Sequence, residues 1–424
     1  MPSLWEATAG PRPGDSALAD EVHADVAIIG AGYTGLSAAL HIAADGRRAV
    51  VLEADTVGWG ASGRNGGLVS GKFRVPFHAV AAAYGQDEAR RLHRTGKKAV
   101  ESVGDIIREH GIASAGFTMC GYVTAAHNGP ALAAQRIATE WLGSALGDTS
   151  SRLCSAEEVA AETGSSIYLG GILHSAAGSL HPLNYVRGLA SAAAGRGVRI
   201  YERSPATRMT RDGAQFRVDT PQGSVRARQL VVATNAYSAR EPATGILRRR
   251  YIPFRSAIIA TAPLPSNVLE TVLPKGRVVA DTRRLLRWYR RVEGRLVFGG
   301  RGALGREDSQ VAFDRLAADM ATAFPQLAGT RIDYQWSGLV AMTMDQLPHV
   351  GKLEDDVFFA AGYNGTGVAM TSLMGRYLAM LTRGEMPELG VIGRPLAPIP
   401  LHAFTVPAVK LVTAWYQLLD GLGR

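Results

Sequence analysis

The chain has 424 residues, 46% of them hydrophobic and 20% charged, with a formal net charge of +9. That length accommodates a large core and two or three domain-sized units, and the composition is ordinary for a soluble globular protein, which excludes disordered and fibrous classes. Two cysteines, Cys120 and Cys154, without C-x-x-C spacing predict neither a disulfide framework nor a structural zinc site and fit the cytoplasm.

Residues 1–24 read as a polar, proline-containing lead-in with Trp5 as an anchor and no apolar stretch of signal-peptide type. No run of 18 apolar residues occurs, so no membrane-spanning helix is expected. The basic charge permits anionic partners without requiring them, and no nucleic-acid module accompanies it.

From Val26 to Ile29 a β-branched apolar run reads as a parallel strand buried on both faces. Gly30, Gly32 and Gly35 then supply G-x-G-x-x-G: a tight turn, room for a pyrophosphate beside the backbone, and close helix packing. A helix from about Thr34 to Ala44 aims its dipole at that pyrophosphate, and Gly46 stops it. The second strand, Ala49 to Leu52, ends on Glu53, whose carboxylate suits ribose hydroxyls and repels a 2′-phosphate, so the ligand is FAD or NAD and not NADP.

Thr56 to Phe73 carries five glycines, Gly58, Gly60, Gly63, Gly66 and Gly67, and reads either as backbone laid against a planar polar ring or as a surface loop. From GAGYTGLSAAL through Glu53 to GWGASGRNGG the chain resembles the amino-acid and amine oxidoreductase family that includes D-amino-acid oxidase, glycine oxidase and sarcosine oxidase. It is most similar to the γ-glutamylputrescine oxidoreductase branch, down to the lead-in SLWEATA.

The resemblance implies FAD bound by Gly30, Ala31, Gly32, Tyr33, Thr34 and Gly35, with Glu53 and Ala54 at the ribose. Ser62, Gly63, Arg64, Asn65, Gly66 and Gly67 run beside the isoalloxazine ring. It further implies an α/β fold: a Rossmann-like FAD-binding domain of glutathione-reductase type, interleaved with an α+β substrate domain on an antiparallel sheet. The expected FAD-binding segments are 1–85, 171–247 and 335–400, the substrate segments 86–170 and 248–334, and 401–424 a helical tail.

Farther along, 80–165 reads as mostly helical, for example Asp87 to His110, with a strand in GFTMCGYVTAA from Gly116. Pro182 and Gly195 bracket a helix, followed by a strand from Val198 to Glu202 that extends the parallel sheet and by a turn over SPATRM. By resemblance His181 and Pro182 form the family's H-P element and Ala206 borders the adenine. Gln215 to Val225 and Ala227 to Ala233 read as strands; the turn after them, with Thr234 and Asn235, lies near the dinucleotide by resemblance, or is simply a strand end.

Residues 248–331 alternate like strands, with a hairpin at Gly294. Period two puts Arg287, Tyr289 and Arg291 on one face and Leu286, Trp288 and Arg290 on the other, and one of the faces roofs the flavin. The arginine clusters read first as solvated strand faces. In VFFAAGYNGTGVAM a buried strand meets Gly362, Asn364, Gly365, Thr366 and Gly367 and then a long helix. By resemblance this second helix N-terminus faces the flavin's pyrimidine edge and stabilises the charge that appears on reduction. Trp336 opens the family's W-x-G through D-x-x-P run.

Three positions depart from the family pattern. Ala369 stands where the sarcosine oxidase branch has a carboxylate-binding lysine, Ala341 where that branch has the cysteine of covalent flavin, and Thr366 where the closest branch has histidine. The expected chemistry is oxidation of a neutral amine or amino acid by hydride transfer to noncovalent FAD, with O2 as acceptor. Candidate catalytic residues are Asn65, Tyr289 and Trp336; candidate substrate contacts are Arg64, Arg255, Arg287 and Trp288. A dehydrogenase feeding a quinone or protein acceptor is the alternative, motivated by a tail whose Val409, Leu411, Val412, Trp415, Leu418 and Leu419 form an apolar face for a membrane surface or for its own domain. A dinucleotide-binding regulator that meets nucleic acid through its arginines is the third reading.

Overall fold

A computed structural model describes residues 2–13, 16–240, 242–301 and 308–421. Among the described residues, two eight-stranded sheets and one two-stranded sheet carry the fold. The first sheet is organised around Glu21–Ile29, which pairs in parallel with Ala49–Leu52 on one side and with Ser224–Val232 on the other. Val26 to Ile29 are all but inaccessible, as strands covered by helices on both faces require. Arg199–Tyr201 adds in parallel beyond Ala49–Leu52, while Val357–Ala361 joins Ser224–Val232 in parallel and carries His349–Glu354 antiparallel at the edge.

The helix Tyr33–Ala44 lies on this sheet, and Gly367–Thr382 packs across it. Their contact is close: a Cβ on Gly375 would stand 2.5 Å from Ser37 Cβ, and Ser37 Oγ donates to the Ser372 carbonyl at 2.7 Å. Pro182 opens the Pro182–Gly195 helix, where its missing N–H costs nothing.

The second sheet runs Ile332–Met342, Ile252–Thr261, Arg295–Arg301, Arg287–Val292, Val278–Asp281, Tyr122–Ala125, Gly171–His174 and Ser151–Cys154. Every neighbouring pair is antiparallel except Val278–Asp281 with Tyr122–Ala125, which is parallel. Both Gly171–His174 and the whole of Ile332–Met342 pair within this sheet, so boundaries drawn at 170/171 and 334/335 separate strands from their own partners.

Several elements differ from the sequence reading. The run 215–225 is broken by a turn in which Thr220 N–H donates to the Gly223 carbonyl, giving Gln215–Asp219 and Ser224–Val232. Arg208–Asp212, which begins at the end of the stretch read as a turn, pairs with the first of these as a hairpin. The strand expected from Gly116 is confined to Tyr122–Ala125, because Gly116 and Gly121 take φ of +56° and +81°. No helix among the described residues is long and apolar enough to cross a membrane. The helix Thr405–Gly421 leaves Leu411, Val412 and Trp415 exposed.

Candidate active site

At the first glycine turn, Gly30 adopts φ +105° and its carbonyl lies beneath the helix: a Cβ on Gly35 would stand 2.0 Å from it. No side chain of its own cap closes the N-terminus of Tyr33–Ala44; instead Ser62 Oγ accepts the Tyr33 N–H at 3.0 Å. Glu53 accepts the Ala31 N–H on one oxygen (2.8 Å) and the Asp55 N–H on the other (3.1 Å). A carboxylate has about four acceptor sites, so ribose hydroxyls can share it. The close neighbour of a Cβ on Gly32 is Ser62 Oγ at 2.9 Å, a protein contact the sequence did not reveal.

The loop that follows is held from both sides. The Asn65 amide donates to the Ala61 (3.0 Å) and Ser62 (2.9 Å) carbonyls, and its Oδ1 accepts the Gly67 N–H at 2.7 Å. Trp5 Nε1 donates to the Asn65 carbonyl at 2.9 Å and Trp336 Nε1 to the Arg64 carbonyl at 3.0 Å. Arg64 donates to the Trp59 carbonyl and lies over the Trp59 ring. Gly66 faces Trp288: a Cβ there would stand 2.5 Å from its ring.

The last turn meets the first. Asn364 takes φ +55°, and its Oδ1 accepts the Thr343 N–H at 2.9 Å. Tyr363 and Thr34 hydroxyls lie 2.7 Å apart, and Asn235 Oδ1 accepts the Gly362 N–H at 3.0 Å. Thr366 makes no side-chain cap, so the leading N–H groups of Gly367–Thr382 open onto the same space.

That space is one cavity of about 1120 Å³. Its walls include Gly30, Ala31, Gly32, Tyr33, Thr34, Glu53, Ala54, Ser62, Arg64, Asn65, Gly66, Thr234, Asn235, Asn364, Gly365, Thr366, Gly367 and Trp288. Gly35, Gly63, Gly67, Ala206 and Gly362 are not on the wall; Gly63 and Gly67 are instead packed against the Gly58 and Leu180 carbonyls. The volume, the two helix N-termini that meet there and the carboxylate at the first strand's neighbour suit a dinucleotide with an extended ring system.

Four expected site residues stand elsewhere. Tyr289 is fully buried on the far face of its strand, stacked on Phe298 and donating to the Tyr168 hydroxyl at 3.0 Å. Arg287 shares that face and pairs with Asp319. Arg255 alternates away from Phe254 and Ser256, which line the cavity, and pairs with Ser337 and Asp308. Trp336 is behind the wall, holding the loop. Ala369 is buried in the helix core and does not reach the cavity, whereas Ala341 does.

Beyond Trp288 the cavity enters a polar chamber that the sequence did not reveal, because its residues come from separate elements with no shared spacing. Lys72 Nζ donates to Thr124 Oγ1 at 2.7 Å and lies over the Tyr122 ring. Thr124 Oγ1 is 3.1 Å from His174 Nε2, and His174 Nδ1 is 2.8 Å from Ser151 Oγ. Burial pushes Lys72 down to about 8, and burial with the Lys72 charge holds His174 well below its usual range and therefore neutral. His93 pairs with Asp148 at 2.5 Å, and hydrogen bonds from Ser150 and His93 outweigh burial to lower the Asp148 carboxyl. No metal-binding cluster occurs among the described residues.

Fold and cavity together define an α/β oxidoreductase built around a dinucleotide cofactor. The chain belongs to the FAD-dependent oxidoreductase family, which residues 25–381 match, and FAD is its cofactor. It is 35% identical to the probable oxidoreductase OrdL of Haemophilus influenzae over 94% of this chain and 92% of that one. It is 32% identical to the γ-glutamylputrescine oxidoreductase of Escherichia coli over 99% and 98%. Among solved structures, glycine oxidase from Geobacillus kaustophilus superposes with a TM-score of 0.70 at 22% identity, over 87% of this chain and 96% of that one.

Proposed function

We propose that the protein oxidises a C–N bond of an amine or amino acid, giving an imine that water hydrolyses to a carbonyl compound. The observation that carries this reading is the wall between Gly66 and Trp288. It offers a flat glycine backbone, an indole and the apolar Leu286 and Ile258, with the nearby Asn65 amide committed to its own loop. Such a wall excludes water and orients a neutral amine's carbon, and proton abstraction is not required of it.

When bound, FAD would supply the two-electron acceptor for the hydride leaving the α-carbon, with O2, reduced to hydrogen peroxide, as the final oxidant. The N–H groups at Gly365 to Val368 face the cavity from a helix N-terminus and favour the negative charge of the reduced state. Ala341 offers no thiol on the wall, and neither Cys120 nor Cys154 reaches it, which supports noncovalent FAD.

The test is to purify the protein, record its visible spectrum and screen amines for anaerobic bleaching, with peroxide measured in air. Bleaching without peroxide would favour the second reading, a dehydrogenase with a quinone or protein acceptor, which the exposed apolar residues Leu411, Val412 and Trp415 support. A colourless protein that stays colourless with added FAD would end both.

A further inference from the structure

Arg290 is a buried cation with no anion beside it. It lies on the strand Arg287–Val292, two residues past Trp288 and on the same side, and it is 6% exposed. Its Nη1 donates to the Gly67 carbonyl at 3.1 Å and to the Leu180 carbonyl at 2.9 Å, while its Nε is buried with no partner among the described residues. The guanidinium also lies over the Trp5 ring, 5.5 Å from its centre. Among the described residues the ionisable groups acting on it are the Cys120 thiol and the Tyr33 phenol, and neither is a carboxylate. Burial pushes it down to about 10, so it keeps its proton at neutral pH.

That charge stands behind the glycine segment. A Cβ on Gly67 would be 2.6 Å from Arg290 Nη1, and Gly66, the residue before it, is on the cavity wall. The guanidinium is therefore within roughly 8 Å of the Gly66 Cα. At that range, and screened little because it is buried, a full charge acts on whatever fills the cavity. As a fastener alone the residue is a poor choice. An unpaired cation is costly to bury, and neutral indole donors from Trp5 and Trp336 already hold the neighbouring carbonyls of the same loop.

We propose that Arg290 sets the redox poise of the bound flavin: its fixed charge, behind the Gly66 and Gly67 backbone, favours the reduced ring over the oxidised one. The balance of charge gives the sign. Two electrons and one proton taken up leave the ring one unit more negative, so a fixed cation behind the wall stabilises the product of that uptake. Arg290 does not line the cavity, so it is a positioning residue that acts through the wall formed by Gly66 and Trp288. Its full charge acts from the side opposite to no carboxylate and adds to the partial charge of the helix N-terminus at Gly367. The inference rests on FAD filling the cavity with its ring along the glycine loop, and not on which amine is oxidised.

Arg290→Met removes the charge and keeps an aliphatic stem. The flavin potential of this variant, measured anaerobically against a reference dye with no amine present, should fall by at least about 30 mV, a tenfold loss in the two-electron equilibrium. Arg290→Lys at pH 6 retains a cation and should stay within threefold of wild type. Trp5→Phe loosens the same loop without changing its charge, so its equilibrium should hold within twofold even where FAD affinity falls. Where a variant sheds its flavin, separate titrations with oxidised and with dithionite-reduced FAD give the same quantity by linkage. Arg290→Met should then lose at least tenfold more affinity for the reduced form than for the oxidised one. Equal losses for the two forms, an unchanged potential in Arg290→Met, or an equal fall in Arg290→Lys or Trp5→Phe would overturn the proposal and leave Arg290 as a fastener of two carbonyls. No substrate enters these measurements, so a failed amine screen would remove the amine-oxidation reading and leave this one standing.

Discussion

Trp5 and Trp336, from opposite ends of the chain, donate their indole N–H groups to adjacent carbonyls, Asn65 and Arg64, in the same loop. The two rings meet edge to face at 5.9 Å, so they form one bracket behind the glycine segment. Because a trans peptide sets its C=O and N–H in opposite directions, anchoring the Asn65 carbonyl on Trp5 turns the Gly66 N–H the other way. Trp5→Phe keeps the ring and removes that anchor. Leaving a buried carbonyl unpaired costs about 1–3 kcal/mol, so FAD affinity is expected to fall roughly tenfold by flavin fluorescence titration. An unchanged affinity beside a lowered melting temperature would confine Trp5 to the core.

Gly32 offers a test of where the pyrophosphate lies. Gly32→Ala is expected to strip the flavin from the purified protein. The Cβ would crowd Ser62 Oγ at 2.9 Å, yet a serine can rotate away and a phosphate held by a helix N-terminus cannot. Gly32→Ala/Ser62→Ala should therefore remain colourless in the visible spectrum. Recovery of yellow protein would assign the whole penalty to Ser62.

The first strand, the glycine turn, its helix and Glu53 were legible because local rules dictate them: a β-branched run, a spaced glycine set and a terminal acid within one short segment. Period two also read the Arg287–Val292 strand correctly, dividing Trp288 from Tyr289, but it could not say which face meets the cavity. That depends on which side Gly66 approaches, a relationship across more than 200 positions of sequence. For the same reason Arg287 and Arg255 looked available for an anion although Asp319 and Asp308, each from a distant segment, pair with them. Lys72, Gln135 and His174 went unread because nothing local distinguishes a chamber residue from a surface one.

Tyr289 makes that distinction measurable. Its hydroxyl serves Tyr168 inside the core, on the other side of the sheet from the cavity. Tyr289→Phe should lower stability by about 1 kcal/mol, the net worth of one hydrogen bond, in a urea titration. The kcat/KM for the best amine should stay within about twofold. A tenfold fall in kcat with stability intact would return the phenol to the reaction.

Acid should destabilise the protein through histidines held neutral. His181 caps the Pro182–Gly195 helix by accepting the Asn184 N–H at Nδ1, and its Nε2 lies 3.0 Å from the Thr8 hydroxyl. Burial, with the Arg290 and Arg187 charges, pushes it down to about 4, and burial does the same to His41. The unfolded chain takes up a proton on each near pH 6.5 and the folded chain does not until about 4, so stability is full above this window and declines as pH falls through it. At pH 5 a shift of this size is worth about 2 kcal/mol for a sequestered group, and about 1 kcal/mol for His181 after allowing for its partial contact with water. His181→Asn retains an acceptor for the helix cap and cannot titrate. Between pH 7 and 5 its denaturant-derived stability should therefore fall less steeply than that of the wild type, by about 1 kcal/mol over the interval, while parallel curves would show that His181 is already protonated in the folded protein at pH 5.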